Sequence, residues 1–318
     1  MKATYQDLSH GITVIDAEYG MSGVAALYLM VEDDQVAIIE TGTNHSVPLI
    51  KEVLESKDLS FDNVRYVIPT HVHLDHAGGA GELMYNCKNA ELVIHPFGAA
   101  HMIDPSRLEA GTIAVYGEEA FHKLYGSIRP IEATRVIEAP DDFTLELNDR
   151  ELKFLDTPGH ARHHFCVFDK TSNGIFTGDT FGLSYPQLTT AEGRFSFATT
   201  TPVQFDPDAL LISIDRLMSY QPDHMYLTHF GAVKPTANIV NQLTTAVKDI
   251  KEIALNAKDV TENRVEYLQK LLLQHVLIKL AAMKCEQSVE FQAAVMANDI
   301  ELNAQGMDVW LTRLAKTK

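Results

Sequence analysis

Six consecutive residues, His71-Val72-His73-Leu74-Asp75-His76, carry three imidazoles and a carboxylate. They follow the apolar run "VRYVIPT" and precede the glycine-rich "AGGAGEL". In an extended segment alternate side chains share one side, so His71 and His73 can converge on a single point. Asp75 and His76 fall where the chain turns into a helix and can face a second point nearby. Imidazole suits zinc and neighbouring transition metals, and a carboxylate adds a charged oxygen donor. A polar turn with surface histidines is the plain alternative, and a lone histidine would favour it. HxHxDH directly after a strand does not.

Three further residues could join such a site. "LDTPGHARHHF" sets His160 in a Pro-Gly turn between two strand-like runs, "FTGDTF" sets Asp179 at the end of another, and "YLTHFG" sets His229 at the end of the last. Each stands at a strand terminus, where open α/β sheets place their sites.

The elements that must position these residues alternate. "ALYLMV" and "QVAIIET" read as neighbouring strands around an "EDD" turn. "SVPLIKEVLES" reads as a helix, with Ile50, Val53 and Leu54 on one face and Ser46 able to cap its start. "VRYVIPT" is a buried strand, "AGGAGELMYN" a helix and "AELVIHP" a strand. Gly78, Gly79 and Gly81 allow that helix start to lie close to the sheet. Residues 97–138 hold helical fragments between Gly and Pro, expected as an insertion over one sheet edge. "FTLEL", "RELKFLDT", "HFCVFD" and "NGIFTGD" then read as strands, "DPDALLISIDRLMSYQ" as a helix with Asp206 as cap and Pro207 in its first turn, and "HMYLTH" as the last clear strand. From Pro235 the periodicity is helical to the end. This alternation predicts stacked α/β layers. The expected division is a catalytic domain over 1–234 and a helical C-terminal extension over 235–318 packed on it. The stripe Leu268, Leu271, Leu272, Val276, Ile278 and Leu280 is more apolar surface than one helix buries alone.

Composition narrows the function. A formal charge of −17 over 318 residues opposes broad binding to nucleic acid or to an anionic membrane. No apolar run reaches the length of a transmembrane helix, and the N-terminus lacks the apolar core of a secretory signal. Three scattered cysteines, Cys87, Cys166 and Cys285, make no disulfide framework and no CxxC metal site, and they fit a reducing cytoplasm.

HxHxDH followed by a distant His, Asp and His, in that order, resembles the metallo-β-lactamase superfamily over about Gly11 to Gly231. "HPFGAAHMIDPSRL" (His95 to Leu108) is similar to a glyoxalase II-like branch that carries an added helical C-terminus. The resemblance implies an αββα sandwich with its site at one rim. It implies that His71, His73 and His160 bind one metal ion, that Asp75, His76 and His229 bind a second, and that Asp179 bridges them. The nucleophile would be a bridging water or hydroxide. Asp75, Asp179 and Tyr185 are the expected catalytic residues, and the cofactor is expected to be two divalent ions, zinc before iron or manganese. One departure is visible: where the superfamily commonly has an aspartate before Thr-Gly, "IIETGT" has Glu40, long enough to buttress a ligand histidine.

Other residues carry weaker expectations. Tyr185 lies six residues after Asp179 and could donate to a developing oxyanion. Lactonases of this superfamily carry such a tyrosine at another spacing. His163 or His164 could line the pocket, His95 and His101 could reach the rim, and Cys166 reads as core. Arg194 in "AEGRFSF" resembles, at another spacing, the basic substrate-binding loop of glyoxalase II, although a solvated loop residue is its plainer role. The expected activity is hydrolysis of a small thioester, ester or lactone, with a small-molecule substrate as the partner. A phosphodiesterase or nuclease of the same fold, or a di-iron oxygen-binding or redox protein, is the alternative. The helical tail would wall the pocket or build a homodimer interface.

Overall fold

Strands form along the β-branched and aromatic runs in the computed structural model, which describes residues 2–200 and 202–316. β1 (Tyr5–Asp7), β2 (Ile12–Asp16), β3 (Ala26–Glu32), β4 (Gln35–Ile39), β5 (Val64–Ile68), β6 (Glu91–Ile94) and β7 (Val136–Glu138) make one sheet in that order. Pairing is antiparallel from β1 to β4 and parallel from β4 to β7. The change comes where helical crossovers replace short turns, because parallel neighbours need the longer connection. A second sheet runs β13-β12-β11-β10-β9-β8, with β8 at Thr144–Leu147, β9 at Arg150–Asp156, β10 at Phe165–Asp169, β11 at Gly174–Leu183, β12 at His224–His229 and β13 at Gly231–Val233.

By its contacts the chain divides into two compact units. The first comprises Met1–Asp156, His163–Gly178 and Pro222–Val233; the second comprises Thr157–Arg162, Asp179–Gln221 and Lys234–Lys318. Strand β11 passes from one to the other between Gly178 and Asp179.

In the first unit the two sheets meet through an apolar layer that includes Tyr28, Ile39, Ile68, Phe154, Phe165, Phe176 and Tyr226. Tyr28 stacks edge-on to Phe176 at 5.2 Å and donates its hydroxyl hydrogen to the Leu227 carbonyl at 2.6 Å, so the buried phenol is satisfied. The other face of the first sheet is covered by α1 (Val47–Glu55), α2 (Leu74–Ala77) and α3 (Ala80–Asn86), whose Ile50, Val53, Ala77, Leu83 and Met84 join Leu27, Leu29, Ile38 and Val67. Ser46 precedes α1 but does not cap it: its hydroxyl donates to the Ala17 carbonyl, and Thr43 caps the preceding turn. Residues 97–138 form most of α4 (Pro96–Ile103), all of α5 (Ser106–Tyr116) and α6 (Glu118–Tyr125), and β7, which extends the sheet edge.

In the second unit α7 (Pro207–Ser219) starts at Asp206, whose carboxylate accepts from the Asp208 and Ala209 amides at 3.1 Å. α8 (Ala237–Asn256) packs on α7, α9 (Arg264–Ala282) and α10 (Val289–Lys316). Leu268, Leu272, Val276 and Leu280 of α9 are buried at a spacing of four, whereas Ile278 lies off that stripe and is 59% exposed. Among the described residues no helix is long and apolar enough to cross a membrane.

Candidate metal centre

The segment after β5 does what its alternation predicts. His71 is buried, and its Nε2 lies 2.9 Å from Nδ1 of His73. The chain then enters α2, and Asp75 and His76 turn toward His229 at the end of β12. Oδ2 of Asp75 stands 3.4 Å from His76 Nε2 and 3.5 Å from His229 Nε2. Donors about 2.0–2.2 Å from one tetrahedral ion stand roughly 3.4 Å apart, so this spacing fits a shared cation. The rings of His71 and His76 are 4.0 Å apart, which brings the two groups together within the first unit. The turn into this site depends on close backbone approach: a Cβ on Gly79 would meet the Thr41 and Thr43 carbonyl oxygens at 2.6 and 2.7 Å.

Three of these imidazoles are oriented through their other nitrogen. Nδ1 of His76 lies 2.9 Å from Glu40, Nδ1 of His229 lies 2.9 Å from the Val24 carbonyl, and Nδ1 of His71 lies 3.1 Å from the Thr70 hydroxyl. Such partners fix the tautomer and aim the remaining lone pair. Glu40 is buried at φ 64°, an unfavourable backbone region for a glutamate. It is held there by four donors: the Thr70 amide at 3.1 Å, the Thr70 hydroxyl at 2.6 Å, the Thr228 hydroxyl at 2.9 Å and His76. Glu40 thus reaches His76, one of the histidines expected to bind metal. Burial raises the Asp75 pKa, but the charge of His76 and the hydrogen bond from His229 outweigh it and hold the carboxyl well below the usual range.

The second unit holds the remaining two residues. Gly159 sits at φ 135°, and a Cβ there would meet Leu210 backbone at 2.4 Å, so the Pro-Gly turn packs tightly under His160. Nε2 of His160 lies 3.2 Å from Oδ2 of Asp179, the first residue of β11 within this unit. Nδ1 of His160 lies 3.1 Å from the Thr199 hydroxyl. The pair has the same donor chemistry and nearly the same spacing as the Asp75 group.

The other candidates fall in varied places. His163 and His164 are buried, with ring centres 5.5 Å from His73 and 4.8 Å from His71 respectively, so both flank the histidine pair. His95 caps α4 through its Nδ1, and its Nε2 lies 3.2 Å from Asp156. His101 is partly exposed in the last turn of α4. Cys166 is core, and its thiol donates to the Thr177 carbonyl at 3.3 Å. Arg194 is turned onto Ser184, binding its hydroxyl at 3.1 Å and its carbonyl. Tyr185 is buried and donates its hydroxyl hydrogen to the Asp299 carboxylate at 3.1 Å. Thr70, Thr199 and Thr228, which contact His71, His160 and Glu40 respectively, escape a reading of sequence alone, because a threonine in such a contact has no local signature.

Comparison with known proteins places this geometry. The family described as the Metallo-beta-lactamase superfamily matches residues 23–229. The metallo-beta-lactamase fold-containing protein ST1585 of Sulfurisphaera tokodaii is 26% identical over 237 residues, covering 73% of this chain and 82% of that one. Its solved structure superposes with a TM-score of 0.65 at 21% identity, covering 95% of this chain and 99% of the other. A probable hydroxyacylglutathione hydrolase of Schizosaccharomyces pombe is 25% identical over 205 residues, 64% of this chain and 63% of its own length. The acyl-coenzyme A thioesterase MBLAC2 of Homo sapiens is 25% identical over 189 residues, 55% of this chain and 65% of its own.

Proposed function

The chain belongs to the metallo-β-lactamase superfamily, and from that premise we propose that it is a metal-dependent hydrolase of a small thioester, ester or lactone, with a thioester as the first choice. The observation that carries this reading is the donor set of the Asp75, His76 and His229 group, spaced for a shared cation and oriented through Nδ1 of both histidines. The relatives named as an acyl-coenzyme A thioesterase and a probable hydroxyacylglutathione hydrolase support the substrate class.

In this reading His71, His73 and His160 would hold one divalent ion and Asp75, His76 and His229 a second, with Asp179 as a further carboxylate donor. Bound ions of the zinc class polarise an acyl oxygen and lower the pKa of a water molecule from 15.7 toward about 7. The chain's part is orientation and charge. Glu40 fixes His76 with Nε2 directed toward Asp75, and the Val24 carbonyl does the same for His229. Asp75, with its lowered pKa, stays a carboxylate through the neutral range. No serine or cysteine nucleophile is required. Tyr185 spends its proton on Asp299, so an oxyanion role for it would require that hydrogen bond to open. The test is metal analysis of the purified protein followed by a panel of thioesters, lactones, β-lactams and phosphodiesters. Bound zinc-class metal with thioester turnover is expected. Turnover of phosphodiesters alone would replace the reading with the nuclease alternative.

A further inference from the structure

We infer that Asn303, on α10 of the helical tail, is a positioning residue for His160, acting through Thr199. The inference rests on the proposed role of His160 as a metal ligand. Asn303 is 1% exposed on a helix face that otherwise buries Met296, Ile300, Ala304 and Met307. A buried amide is costly unless all its polar atoms are used. Here Nδ2 donates to the Ala198 carbonyl at 3.0 Å, and Oδ1 accepts from the Thr200 amide at 2.7 Å. The Thr200 hydroxyl returns a hydrogen bond to the Asn303 main-chain carbonyl at 3.1 Å.

One side chain thus grips the backbone on both sides of Thr199. Thr199 in turn presents its hydroxyl 3.1 Å from His160 Nδ1 and 3.3 Å from the Asp179 carbonyl oxygen. A hydroxyl has one proton. Donated to the Asp179 carbonyl, it leaves the oxygen to accept from Nδ1–H of His160. That sets the tautomer in which Nε2 carries the lone pair, and Nε2 is the atom directed toward Oδ2 of Asp179. The same strap is held from α8, where Gln242 accepts from the Ser196 amide at 3.1 Å and donates to the Arg194 carbonyl at 3.3 Å. Asn303 differs from Gln242 in flanking the residue that touches His160.

The experiment is chelator competition for zinc on the full chain, comparing wild type, Asn303→Ala, Thr199→Val and the double variant. Thermal melts of the metal-free proteins run beside it. Each single substitution is expected to weaken one of two bound ions by about 10–100-fold, the usual range for a residue that supports a ligand. The double variant should be no weaker than Thr199→Val alone, since both act on one link. If Asn303→Ala does not fold, Asn303→Asp keeps the acceptor for Thr200 while losing the donor to Ala198, and it carries the same comparison. A wild-type chain that holds no metal overturns the metal reading together with this inference. A wild type with two ions, beside an Asn303 variant that holds both equally tightly or a double variant whose losses add, overturns this inference alone. A lowered melt with unchanged metal affinity would make Asn303 purely structural.

Discussion

His76 and His160 are both fixed through Nδ1, but by partners of different kinds. His76 leans on Glu40, a buried carboxylate that also accepts from Thr70 and Thr228. His160 leans on the neutral hydroxyl of Thr199. A carboxylate raises the basicity of the imidazole it holds, whereas a hydroxyl fixes the tautomer with little change in charge. The first unit therefore invests a charge, a strained backbone and four hydrogen bonds in one histidine. The second invests a chain of neutral groups that ends on a distant helix. The lesson is that histidines proposed for the same task can be oriented by local charge or by long-range packing, and the two should fail differently.

The largest effect is expected from removing a ligand on either side. His76→Ala and His160→Ala should each lower the metal content from two ions per chain toward one. Each should reduce kcat/KM by more than the roughly 10–100-fold typical of a supporting residue. Elemental analysis beside turnover reads both. Wild-type turnover in His160→Ala would break the equivalence of the two sides.

The supporting residues sharpen the contrast. Glu40→Ala removes the acceptor from buried donors, each costing about 1–3 kcal/mol when unsatisfied, so a loss of about 3 kcal/mol or more is expected in urea unfolding. Thr199→Val removes two neutral hydrogen bonds, each worth about 0.5–1.5 kcal/mol, so its loss should stay at about 2 kcal/mol. Equal destabilisation by the two would remove the distinction between a charged and a neutral support.

How far these two sides could be read in the sequence follows the same line. HxHxDH is local, its geometry follows from strand alternation and a helix start, and Glu40 stands at a recognisable position. His229 was legible as a strand-end residue and His160 as a turn residue between strands, whereas Asp179 stands inside β11 and not at its end. Thr199 and Asn303 were not legible, because Thr200 and Asn303 are 103 residues apart and nothing near either points to the other. Tyr185 shows the same gap: its place after Asp179 suggests a rim donor, while its partner Asp299 lies on α10. The apolar strands were legible from composition. β1, β7 and β13, three residues each, were too short to show a period, and β11 runs on to Leu183 past Asp179, which seemed to end it.

The smallest effect concerns the three cysteines, two in the first unit and one in the second. Burial pushes the Cys87 thiol up to about 12, with Arg135 opposing. In the unfolded chain the thiol ionises near 9, so its share of stability is present below that pH and lost between 9 and about 12. At pH 8 iodoacetamide should label the half-buried Cys285 and leave Cys87 and Cys166, both fully buried, unmodified in the folded protein. Labelling of Cys87 at the rate of Cys285, read by peptide mass, would mean that the α3 region of the first unit opens readily.

The central claim is the proposed metal-dependent hydrolysis. Its most direct test is to titrate metal-free protein with zinc while following cleavage of an acyl thioester. The account predicts no turnover without metal and a rise that breaks at two equivalents per chain. Turnover that ignores added metal, or a chain loaded with two ions that cleaves no thioester, ester or lactone, would contradict it.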